Sequence, residues 1–155
     1  MAQMTTVHEV VIDANVLLNF ALKKHPYHLQ AQQFITDALR DGVHLMSPAL
    51  WESEADSGIR RMASIGVLTS DAAATAQTLL DAMPVNVVYE PAARVAARQL
   101  ADHIKQTKVY DAVYLALAQV RGCDLWTADQ RLFNAASTAG LSFVKFIGTY
   151  PVPTV

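Results

Sequence analysis

Four acidic residues stand where a carboxylate is costly unless something offsets its charge: Asp13, Glu54, Asp111 and Asp129. Asp13 lies between Val10-Val11-Ile12 and Val16-Leu17-Leu18, at the seam of two hydrophobic segments. Asp111 leads the apolar run AVYLAL. Glu54 follows Leu50 by one helical turn, in a segment that must turn Leu50 and Trp51 inward. Asp129 follows the strand-like CDLWT. Burying an unpaired carboxylate is unfavourable, and carboxylates gathered at close range raise one another's pKa unless a cation neutralises them. Hard divalent ions seek such oxygen ligands, and Mg²⁺ keeps several of its waters. With Mg²⁺ or Mn²⁺ the chemistry suggested is phosphodiester hydrolysis, the ion activating water and stabilising charge on the attacked phosphate.

Each acid also has a purely local explanation. Asp13 suits an Asx-turn or the N-cap of a helix starting near Ala14, and Asp111 suits the cap of DAVYLALAQ. Asp129 at a helix N-terminus complements the helix dipole. Glu54 could be a solvated helix residue.

The elements that would position these acids alternate along the chain. Strand-like runs cover 7–12, 43–46, 85–89, 123–127 and 141–147. Between them, helical spacing is carried by Leu29, Phe34, Ile35, Ala38 and Leu39 before the Asp41-Gly42 stop. Pro48 suits the first turn of a helix to about Met62. Ser70 reads as the N-cap of a helix closed by Pro84, Pro91 opens an alanine-rich helix, and Gly122 ends the one that Asp111 opens. Strands separated by helices predict an α/β fold: a three-layer sandwich with a mostly parallel five-stranded central sheet and helices on both faces. In such a fold ligands sit beyond the carboxyl ends of the strands, where the strand order reverses. Asp13 and Asp129 fall just after strands one and four.

With 155 residues and 52% apolar content the chain is expected to form one domain over 1–155, with ample core. Removing the four candidate ligands from the 14 acidic residues leaves 10 against 12 basic ones, so the net charge of −2 does not exclude a nucleic acid. Arg60, Arg61 and Lys108 are the chosen candidates for phosphate contact. Cys123 has no partner for an internal disulfide, and neither a signal-peptide pattern nor a membrane-spanning run is present. The expectation is a cytoplasmic protein with no membrane attachment. The five histidines form no convincing site, and no GxSxG, P-loop or GxGxxG pattern occurs.

VVIDANVLLNF, SPALWESEADSGIRR, VYDAVYLALA and LWTADQRLF, in that order, resemble the four acidic motifs of PIN-domain ribonucleases. Within that family they are most similar to the small VapC-type toxins of toxin–antitoxin systems. The resemblance spans residues 8 to 147 and implies a PIN-like fold and a Mg²⁺- or Mn²⁺-dependent endoribonuclease. It implies Asp13, Glu54, Asp111 and Asp129 as catalytic metal-binding acids, with Asn15 and Thr127 as their polar supports. Glu52 and Glu54 both lie in the second motif, and the family spacing from Pro48 favours Glu54. Asp56, Ser57 and Gly58 depart from the family pattern that follows. The resemblance further implies an RNA substrate, an antitoxin protein partner and a homodimer.

Two other readings compete. A receiver or haloacid-dehalogenase-like phosphatase also places Asp at strand ends. The phosphatase needs a second Asp where this chain has Asn15, and Glu9 is too far from Asp13 to make a receiver's acidic pair. A catalytically inactive PIN-like module would bind RNA or protein through the same scaffold.

Overall fold

The computed structural model describes residues 8–154. Five strands form one sheet: β1 (Glu9–Ile12), β2 (His44–Ser47), β3 (Val85–Val87), β4 (Asp124–Thr127) and β5 (Val144–Phe146). Their order is β3-β2-β1-β4-β5 and every neighbouring pair is parallel. The sheet is thus parallel throughout, not merely for the most part. The helices are α1 (Ala14–Ala21), α2 (His28–Arg40), α3 (Leu50–Ser64), α4 (Ser70–Asp81), α5 (Pro91–His103), α6 (Tyr110–Arg121) and α7 (Gln130–Thr138), and a 3-10 turn (Ile147–Thr149) follows β5. None of the described helices is long and apolar enough to cross a membrane.

Parallel strands need helical crossovers, and those crossovers are right-handed. The β1–β2 and β2–β3 connections run one way across the sheet and the β3–β4 and β4–β5 connections the other. That sends α1–α4 to one face and α5–α7 to the opposite face. Accordingly α1 packs on α2, α3 and α4, while α5 packs on α6, which also meets β1 and β4. β1 is covered on both sides: Val11 and Ile12 have no exposed surface, as a continuous apolar strand in a parallel sheet requires. Strand order reverses at β1, whose two neighbours are β2 and β4, so the switch-point crevice opens at the carboxyl ends of β1 and β4.

Several boundaries differ from the sequence reading. Leu29 and Leu39 are exposed, because the inward stripe of α2 runs through Ala31, Phe34, Ile35 and Ala38. α4 is capped by Thr69 rather than Ser70, its side chain accepting from Ala72 N at 3.1 Å. β5 is shorter than 141–147, since a turn bond from Val144 N to Leu141 O consumes the start of that run. Of the predicted first strand, Val7 lies outside the described residues, and pairing begins at Glu9. Gly58, in the middle of α3, is where that helix crosses α1. A Cβ there would stand 2.7 Å from Leu18 Cδ1.

Candidate active site

Asp13 is the buried centre of the crevice, only 3% exposed. β1 ends at Ile12, and Asp13 N donates to Trp126 O of β4 at 3.0 Å, which ties the two strand ends together. Asp13 occupies the N-cap position of α1 with extended backbone, yet its carboxylate makes no capping bond. Oδ2 instead accepts from Thr127 Oγ1 at 3.0 Å and from Asn15 Nδ2 at 3.2 Å. The side chain is thus held chiefly by Thr127 and the Asn15 side chain rather than by a cap bond of full geometry. Asn15 is itself fixed, its Oδ1 accepting from Ala128 N at 2.8 Å. Thr127 Oγ1 also accepts from Asp129 N at 3.0 Å, so one hydroxyl links the acid after β1 to the acid after β4.

Asp129 does cap α7: its Oδ1 accepts from Arg131 N and Leu132 N at 2.9 and 3.2 Å. Asp111 does not cap α6. The cap position is Val109, without a side-chain bond, and Asp111 sits in the first turn. There the free N–H groups of the helix favour a negative charge. Glu54 is half-buried on α3, and its Oε1 is shut off from solvent with no hydrogen-bond partner among the described residues. It is not a solvated helix residue. Glu52 is, facing outward beside Asp56 on the other side of α3.

Electrostatics joins the four. Burial, then the Glu54 charge, and to a smaller extent Asp111, push the Asp13 carboxyl up to about 7, against the pull of the Thr127 and Asn15 bonds. Burial also raises Glu54, with Asp111 adding to it and the nearby Tyr114 hydroxyl partly offsetting it. Asp111 is raised by burial and by the Asp129 charge. Among the described residues no salt bridge reaches any of these acids. Nor do three of them converge into a ready ligand group. They are coupled through their charges without converging at ligating range. An all-oxygen donor set, an orphaned Glu54 oxygen and a carboxyl held near neutrality fit a hard divalent cation.

Tyr114 was not singled out in the sequence. Its ring is completely buried, and its hydroxyl has no partner of full hydrogen-bond geometry beside Glu54 and Asp13. Burial and those two charges push the phenol well above its usual range. The available signal was its place three residues after Asp111, on the adjoining face of one helix. Ser47, also unremarked, is buried at the end of β2 and donates to Ile12 O at 2.8 Å, fixing the strand end that presents Asp13. Arg60, Arg61 and Lys108 are exposed. Arg60 lines a cleft between α3 and α4 with Asp56 and Asp81, away from all four acids.

The fold and the site together define a parallel α/β domain with an acidic centre at its switch point. The chain belongs to the PIN domain family, which matches residues 10–137; the fold is generally that of a nuclease, and its members usually bind divalent metal ions. Among solved structures it is similar in fold to PAE2754 from Pyrobaculum aerophilum. That likeness has 20% identity and a TM-score of 0.64, and covers 93% of this chain and 94% of the other. No curated protein matches the chain.

Proposed function

We propose that this chain is a metal-dependent endoribonuclease and the toxin of a toxin–antitoxin pair. Its ion, Mg²⁺ or Mn²⁺, would be held by Asp13, Glu54, Asp111 and Asp129, with Asn15 and Thr127 as supports. The observation that carries the reading is the buried Asp13: a carboxyl pushed up to about 7 by burial and by its acidic neighbours, with no basic side chain paired to it among the described residues. A structural aspartate would gain from a cation of the chain's own, and none is supplied among the described residues. A bound divalent ion supplies an activated water and neutralises charge at the attacked phosphate. Thr127 and Asn15 fix the Asp13 oxygen that faces them and leave Oδ1 for the crevice. Asp129 spends Oδ1 on its helix and keeps Oδ2. The toxin assignment, with its antitoxin partner, homodimer and cytoplasmic location, rests on the sequence resemblance to VapC-type toxins.

The absence of a preformed group of three ligands among the described residues favours one rival, an inactive module that binds RNA or protein. Cleavage of RNA by the purified chain, with Mg²⁺, Mn²⁺ or chelator and beside an Asp111→Asn variant, separates the two. The nuclease reading expects cleavage that needs metal and disappears in the variant. Binding without cleavage, or equal activity in both preparations, would hand the site to the rival.

A further inference from the structure

We propose that the cleft between α5 and α6 receives an unpaired base of a single-stranded RNA, with Arg94 and Arg98 on the adjoining phosphates and Tyr89 stacked against a neighbouring base. The inference rests on the ribonuclease reading above and assigns that enzyme a substrate-recognition site.

The cleft encloses about 400 Å³, within the range of pockets that hold small organic groups. Its apolar wall is Val113 and Leu117 of α6 with Val109 at the cap of that helix, each one turn from the next. That wall lies on a different face of α6 from Asp111 and Tyr114. Pro48 and Val88 close the cleft at the carboxyl ends of β2 and β3. The acids stand at the carboxyl ends of β1 and β4, and β2 is the strand next to β1. Strands in a sheet are about 5 Å apart, so cleft and acids lie along one edge of the sheet, where a single extended strand of nucleic acid can meet both.

Charge decides the class of occupant. Arg94 and Arg98 both line the cleft and are exposed on α5 at i, i+4 spacing. Neither forms a salt bridge among the described residues. The one acid on the rim, Glu90, is already engaged by Arg121 at 2.9 Å. The rim therefore presents two uncompensated guanidinium groups beside an apolar slot, on a chain whose net charge is −2. Tyr89 stands at the mouth with 81% of its surface exposed, so its ring face is open to stacking. Apolar slot, aromatic platform and paired cations match the flat base, second base and phosphates of a single strand. A duplex keeps its bases stacked and has none to offer.

The test measures binding by fluorescence anisotropy in Mg²⁺, using a short labelled single-stranded RNA and the full chain carrying Asp111→Asn to prevent cleavage. Adding Arg94→Ala with Arg98→Ala is expected to weaken binding and flatten the slope of log affinity against log salt by about 1.4, the share of two phosphate contacts on a single strand. Tyr89→Ala is expected to weaken binding about tenfold, while Tyr89→Phe binds as the parent does. The matching duplex should bind less tightly and ignore Tyr89→Ala. Unchanged affinity and slope in the arginine variant would overturn the inference, as would equal losses in Tyr89→Ala and Tyr89→Phe. A shift in sedimentation with RNA binding intact would make the cleft a protein interface and overturn it too. Metal-dependent cleavage with cleft variants that bind normally defeats this inference alone. Cleft-sensitive binding without cleavage defeats the nuclease reading alone.

Discussion

Replacing Asp13 by Asn should stabilise the metal-free protein at neutral and alkaline pH, although it alters the most buried acid of the site. The side chain keeps its size, and its amide oxygen still accepts from Thr127 and Asn15, so the network around Oδ2 survives. What disappears is a charge in a buried acidic crevice. The gap between an Asp13 pKa of about 7 and an ordinary aspartate at about 3.9 corresponds to at most about 4 kcal/mol, a large share of a domain's stability. The sign follows from proton counting. Between about pH 4 and about pH 7 folded Asp13 holds a proton that the unfolded chain has lost, so stability falls as pH rises. Below that window both states are protonated and no deficit exists; above it both are ionised and the deficit is complete. Asp13, Glu54 and Asp111 share the repulsion, so the midpoint belongs to the group. Urea denaturation of wild type and Asp13→Asn in chelator, from about pH 4 to about pH 8, reads this directly. The two should converge at the acid end and diverge in favour of the variant above neutrality. Excess Mg²⁺ should restore the wild type and leave the variant nearly unmoved. A difference independent of pH, or a variant less stable throughout, would refute the reasoning and return Asp13 to a structural role.

Asp129 separates charge from capping. Asn caps a helix as well as Asp does, so Asp129→Asn should hold stability within about 0.5 kcal/mol while cleavage is lost, whereas Asp129→Ala should lose about 1 kcal/mol more; equal unfolding midpoints for the two variants would show that the cap contributes nothing. Thr127→Val keeps the shape but removes the hydroxyl shared by Asp13 and Asp129 N. It should weaken Mn²⁺ binding in calorimetric titration by about 10–100-fold and cost about 1–3 kcal/mol for the stranded N–H; unaltered Mn²⁺ affinity would dismiss Thr127 as a support.

The sheet was legible because a parallel strand must be apolar on both faces, and VVI, HLM and DLWT stand out between helical periods. The strand-end positions of Asp13 and Asp129 follow from the same pattern. Less legible was whatever depends on distant parts of the chain meeting. Leu29 and Leu39 look like core residues on composition, and only their angular offset from Phe34 and Ile35 puts them outside. Asp111 looks like a cap because Asp often is one, but α6 begins a residue earlier. Glu52 and Glu54 are two residues apart, about 200° around a helix, and the choice between outward and crevice-facing depends on the tertiary position of α3. Tyr114 is hidden in sequence for a related reason. Within AVYLAL it counts as one more large apolar residue, and only folding brings its hydroxyl against two carboxylates.

The crossing of α1 over α3 at Gly58 has a consequence for the site. Leu18 lies five residues beyond Asp13, and Gly58 lies four beyond Glu54. The segments that carry the two carboxylates thus meet about a turn beyond them, at a contact that carries no charge. A methyl group introduced at that crossing meets the flexible tip of Leu18, which must shift to admit it. The approach of α1 to α3 is therefore set at an uncharged position, and can be altered without touching any of the acids.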